Sequence, residues 1–239
     1  MRLHIVACVV ALSGCPIVVP PIAEQYGDAC AQLLTAGELD QAEAACRHSL
    51  EYQPKYWNAL HNLALIEQQR GDLPAAKKHY IEAVRANQAM KQSFNALGLI
   101  AQNEGELKTA AGYFREALRQ HPEYAEARLN LGALLLIQKK PREAEMEFRQ
   151  LVMTAPQLVN GHLGLATALV AQHELEKGAA EAEVATNLNV ADVRAWVLRG
   201  QIAEARGLGE EAKDHYERCL LADDQNLECT RALKRLTSD

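Results

Sequence analysis

The stretch "ALGLIAQNEGELKTAAGYFREAL", residues 96–118, decides the fold. Its Gly105 stands 34 residues after Gly71, which stands 34 after Gly37. With the frame started at Ala23, six units run without insertion: 23–56, 57–90, 91–124, 125–158, 159–192 and 193–226. Gly98 is the eighth residue of its unit, and its counterparts Cys30, Ala64, Gly132, Ala166 and Gly200 are all small, as two closely crossing helices require. Ala110 is the twentieth, matched by Ala42, Ala76, Ala144, Gly178 and Ala212. Phe114 is the twenty-fourth, matched by Cys46, Tyr80, Phe148, Ala182 and Tyr216. Pro54, Pro122 and Pro156 close three units.

This period and these marks resemble the tetratricopeptide repeat. The resemblance implies an all-α, right-handed superhelix of six helix-turn-helix repeats over 23–226. One hairpin cannot cover its own apolar face, so the units stack. Residues 227–239 are too few for another unit and read as a capping helix. Composition agrees: Ala and Leu dominate with Glu, Gln, Lys and Arg, all strong helix formers. Units four and five carry Lys139 and His173 where the turn glycine stands elsewhere. Unit five also has Ala182 for the ring and is expected to pack most loosely.

The N-terminus has a different character. Residues 3–14 are mostly apolar, follow Arg2 and are too few to span a bilayer, which needs about 20 apolar residues. They read as a secretory signal of residues 1–14. Its end, Leu12-Ser13-Gly14-Cys15, resembles the bacterial lipobox, which implies cleavage before Cys15 and acylation of that cysteine. Cys8 falls in the discarded piece. Residues 15–22 then form an acylated, proline-rich tether, with Pro16–Ile22 spanning roughly 20 Å if extended at ~3.1 Å per residue. The net charge of -6 disfavours nucleic acid and anionic lipid, so acyl chains rather than electrostatics would hold the protein at a membrane. Residue 16 is proline, not the aspartate of inner-membrane retention, so the expected address is the outer membrane, facing the periplasm.

Four cysteines besides Cys15 remain after maturation. In the repeat frame Cys30 and Cys46 lie on facing helices of unit one, and Cys219 meets Cys229 where the last repeat helix joins the cap. The expected pairs are Cys30–Cys46 and Cys219–Cys229, one at each fraying end of the stack, as an oxidising compartment permits. Four buried free thiols are the alternative. No CxxC is present, and the eight histidines are scattered. No HExxH, GxSxG or phosphate-binding glycine loop occurs, so neither enzyme chemistry, metal nor cofactor is expected.

The resemblance assigns the first helix of each unit to the concave wall, at unit positions 2, 5, 9, 12 and 13. In units two and three these are Asn58, His61, Leu65, Gln68, Gln69, Gln92, Asn95, Leu99, Gln102 and Asn103, two of the ten apolar. In units four and five they are Glu126, Leu129, Ala133, Leu136, Ile137, Asn160, Leu163, Thr167, Val170 and Ala171, seven of the ten apolar. Leu129, Ala133, Leu136, Ile137, Leu163 and Val170 are thus the candidate partner-binding residues; burial between helices, or cover by the N-terminal lipid tether, is the competing reading. Unit six adds Arg194 and no position supplies lysine, unlike the chaperone-binding type that grips a C-terminal carboxylate.

Lipobox, short tether, six repeats and cap together resemble the pilotin lipoproteins of type IV pilus systems. That resemblance implies a monomer that binds secretin subunits and promotes their insertion and multimerisation. A general periplasmic adaptor for cell-wall enzymes or outer-membrane assembly machinery is the alternative.

Overall fold

A computed structural model describes residues 19–237. The signal segment, Cys8, Cys15 and residues 16–18 of the tether lie outside the described residues. Helix α1 begins at Pro21, so the tether expected to run extended to Ile22 is already helical in its last two residues. Proline there has no N–H to lose, because the first helical N–H groups have no intrahelical partner.

The helices follow the repeat. Unit one is α1 (Pro21–Thr35) and α2 (Leu39–Tyr52); unit two is α3 (Trp57–Gln69) and α4 (Leu73–Ala86). Unit three is α5 (Lys91–Asn103) and α6 (Leu107–Gln120), and unit four is α7 (Ala125–Ile137) and α8 (Pro141–Thr154). Unit five is α9 (Val159–Val170) and α10 (Leu175–Leu188), and unit six is α11 (Val193–Ala205) and α12 (Gly209–Ala222). The cap is α13 (Leu227–Leu236). Among the described residues there is no strand. Each hairpin packs on the next, forming the superhelical tetratricopeptide stack.

The mid-unit turn is the same six times over. Its central residue has positive φ, and the following N–H bonds back to the carbonyl five residues earlier, as Glu106 does to Ala101 at 2.8 Å. Gly37, Gly71, Gly105 and Gly207 take φ of 75–83° without strain. Lys139 and His173 hold the same conformation at φ 58° and 62°. The stack therefore imposes on two side-chain-bearing residues a backbone that costs roughly 1–2 kcal/mol.

Within each unit the eighth and twenty-fourth residues meet. A Cβ on Gly132 would stand 2.7 Å from the Phe148 ring, and Gly98 and Gly200 face Phe114 and Tyr216 in the same way. These rings are almost fully buried, so their apolar area, not a specific polar contact, holds the hairpin. Unit one makes the same junction covalently, through Cys30–Cys46 with Cα atoms 5.2 Å apart. Cys219–Cys229, at 6.4 Å, ties α12 to the cap. In unit five the pair is Ala166 and Ala182, which cluster with Ile202 of unit six, while Leu165, Ala168 and Leu169 of α9 join the larger core of units three and four.

Candidate functional site

The inner wall changes character along its length. At α3 and α5 four of the polar wall residues, Asn58, His61, Gln68 and Asn95, are engaged by other side chains. His61 Nδ1 lies 2.8 Å from Ser93 Oγ on the next repeat, and the Tyr80 hydroxyl donates to Gln68 Oε1 at 3.0 Å. Burial lowers the His61 pKa to about 4, so the ring is neutral at pH 7. Beneath this wall Tyr80, Phe94 and Leu97 fill the space between helices.

At α7, α9 and α11 the wall opens into a groove of about 580 Å³. Leu129, Ala133 and Leu136 of α7 form one side and Leu163 the middle. Val193, Val197 and Leu198 of α11 form the other side. Phe148 of α8 lies beneath as the floor, itself almost fully buried. Gly164, on α9, makes room for it, since a Cβ there would collide with the ring. The polar groups among the lining are already paired, Thr167 Oγ1 of α9 donating to the Leu163 carbonyl at 2.8 Å. Asn130 Nδ2 donates to Asn95 Oδ1 at 2.9 Å, and Gln201 Nε2 to Glu228 Oε1 at 2.7 Å. Arg194 donates to Asn160 Oδ1 at 2.9 Å and to Asp192 Oδ2 at 2.6 Å. Its hydrogen bonds hold the Asp192 carboxyl below the usual range and raise the Arg194 guanidinium in turn. With its polar rim satisfied, the groove offers a ligand mainly apolar area.

Four of the six residues expected here, Leu129, Ala133, Leu136 and Leu163, line the groove. Two do not. Val170, the last residue of α9, turns instead toward Gly178 on α10, where a Cβ would lie 2.9 Å from its Cγ2. It packs with Ala166, Ala182 and Ile202. Ile137, the last residue of α7, is 56% exposed but stands outside the groove. Conversely, the α11 side was missed, although Val197 occupies the fifth unit position, the signal that selected Leu129 and Leu163. Among the described residues, no group of three His, Cys, Asp or Glu could hold a metal, and no helix is long and apolar enough to cross a membrane.

Three sequence models, all of the tetratricopeptide repeat, match residues 95–157, 58–89 and 193–226. No curated protein matches the chain by sequence. Solved structures do resemble it. One is pilF of Pseudomonas aeruginosa, with TM-score 0.76 at 19% identity, over 90% of this chain and 97% of that one. PilW, described as a widely conserved type IV pilus biogenesis factor, gives 0.75 at 18% identity over 90% and 99%. YrrB, described as having an unusual peptide-binding site, gives 0.68 at 16% identity over 80% and 98%. At these identities the likeness establishes the fold alone.

Proposed function

We propose that this chain of tetratricopeptide repeats is a non-enzymatic lipoprotein of the outer membrane, facing the periplasm, that takes a partner polypeptide into the α7–α9–α11 groove. The partner we assign is the secretin subunit of a type IV pilus system, and the role is that of a pilotin. One observation carries the binding reading: three successive helices leave a continuous apolar trough open to solvent, with its rim polar groups already paired. A concave, mainly apolar groove with a few polar groups among its lining is the usual form of a binding site. A helical or extended segment with apolar side chains fits it, and its own backbone hydrogen bonds or the rim amides would satisfy its polar groups. Such shelter would keep an apolar secretin segment from aggregating until it reaches the bilayer.

Two further observations support the assignment. Leu12-Ser13-Gly14-Cys15 resembles the lipobox, and acylation there would hold the protein at the membrane where secretins assemble. The fold matches pilF and PilW along nine tenths of this chain and nearly all of theirs. Deleting the gene should abolish heat-resistant secretin multimers and surface pili. The wild-type gene should restore both, and a Leu136→Asp, Leu163→Asp double variant should restore neither while its helical circular dichroism is unchanged. Intact multimers and normal pili in the deletion strain would overturn the secretin assignment. Recovery of peptidoglycan hydrolases or barrel-assembly subunits instead of secretin in a pull-down would favour the general adaptor.

A further inference from the structure

The stack has an end face at unit one whose chemistry differs from a merely solvated surface. The fourth residue of a unit is otherwise mostly buried: Phe94 shares an apolar cluster with Tyr80 and Val84 of the preceding unit, Leu60 and His162 are buried, Trp196 packs within unit six and the cap, and Arg128 is half-buried. Tyr26 is the fourth residue of unit one, and the described residues place no unit before it. It stacks instead on Tyr52 of α2, with ring centroids 5.9 Å apart and planes 7° apart, and its other neighbour is His48 at 5.4 Å. Tyr52 is 52% exposed and Ile22, one turn earlier on α1, is 37% exposed.

The same corner is where the chain leaves the folded body. α1 starts at Pro21, and α2 runs antiparallel to end at Tyr52, so helix start and ring pair share one end of the hairpin. That start is fixed: Val19 packs on the unit-one core, and the buried Ser49 hydroxyl donates to the Ala23 carbonyl at 2.6 Å. Cys15 is four residues before Val19, a reach of at most ~14 Å even if fully extended. If Cys15 carries acyl chains, as the proposed function requires, this corner cannot leave the bilayer surface.

We infer that the Tyr26–Tyr52 corner, with Ile22, is a membrane-contact surface that seats the stack on phospholipid and sets its orientation there. Tyrosine suits that depth, because its ring is apolar while its hydroxyl stays with the headgroups. The charge around it selects the lipid. This end of the hairpin carries Glu24, Asp28 and Glu51 against Lys55, so zwitterionic rather than anionic headgroups fit. Oriented in this way, the stack would run outward from the membrane and hold the groove of units four to six away from the lipid.

The test uses the full acylated protein in phosphatidylcholine vesicles containing brominated acyl chains, which quench nearby indoles. Tyr52→Trp places an indole at the corner, and Leu221→Trp places one at an 88% exposed site at the far end of the stack. The expected result is that the indole added at 52 is quenched at least about twofold more than the one added at 221, which stays at the parent level. Mass spectrometry of Cys15 runs alongside. Acylated protein with equal quenching at both sites overturns the inference and leaves the lipoprotein reading standing. Absence of acyl chains on Cys15 overturns that reading and the inference with it. A blue-shifted, unquenched indole at 52 together with a doubled particle mass assigns the corner to a second copy of the chain and also overturns the inference.

Discussion

The two halves of the inner wall use the same backbone to opposite ends. In units two and three, His61 meets Ser93 and Gln68 accepts from Tyr80 over filled space, and the half-buried His61 is neutral. In units four to six, Gly164 makes room for the buried Phe148 ring below the wall, and leucines and valines on three helices surround the opening. The difference comes from side-chain size and polarity at matched positions, because the helices of all six units begin and end in the same register, within a residue or two. A repeat fold can thus be closed in one region and receptive in another with no change of architecture.

Four outcomes break or sharpen that contrast, and the largest comes from its floor. Phe148→Ala removes a buried ring shared by the groove and the unit-four core, and should lower unfolding stability in urea by about 3–5 kcal/mol. Phe114→Ala, beneath the polar half, should cost a similar amount. A loss under about 1 kcal/mol at Phe148 alone would mean the floor of the groove is not packed. For binding the halves should diverge. Leu163→Asp should weaken partner affinity by roughly 30-fold or more, the scale of a hot-spot residue, while Asn95→Ala changes it less than about threefold. Titration of the secretin segment by calorimetry reads both.

The polar half should be the acid-sensitive one. His61 has a folded pKa of about 4 against about 6.5 unfolded. Above pH 6.5 neither state is protonated there and the group is silent. As pH falls from about 6.5 toward 4, the unfolded chain takes a proton that the folded one refuses, so stability drops by on the order of 2 kcal/mol. His61→Gln should flatten that part of the pH–stability curve, and an unchanged slope would show that His61 is not the source. The smallest effect belongs to the turns. Lys139→Gly and His173→Gly should each raise stability by roughly 0.5–1 kcal/mol by relieving positive φ, whereas Gly105→Ala should lower it by a similar amount.

The architecture was legible because its determinants are local and repeated. A small residue at the eighth position and a ring at the twenty-fourth mark one contact, which recurs in units two, three, four and six. The same frame set Cys30 opposite Cys46, where a disulfide takes the place of the glycine–ring contact. The groove was only partly legible, since its edges depend on single neighbours. Val170 has the right position on α9, but Gly178 opposite offers it space and draws it inward. Ile137 ends α7 beyond the trough. The breadth of the groove depended on Val193, Val197 and Leu198 of unit six, which join the wall only once α11 is seen beside α9.

The central claim is that a partner segment lies in the apolar half of the wall, and a photo-crosslinking amino acid tests it where it would happen. Placed in living cells at position 136 or 163, it should capture the secretin subunit, and placed at position 99 or 103 on the polar half it should capture little. Crosslinks that ignore this division, or that arise from neither 136 nor 163, would contradict the account.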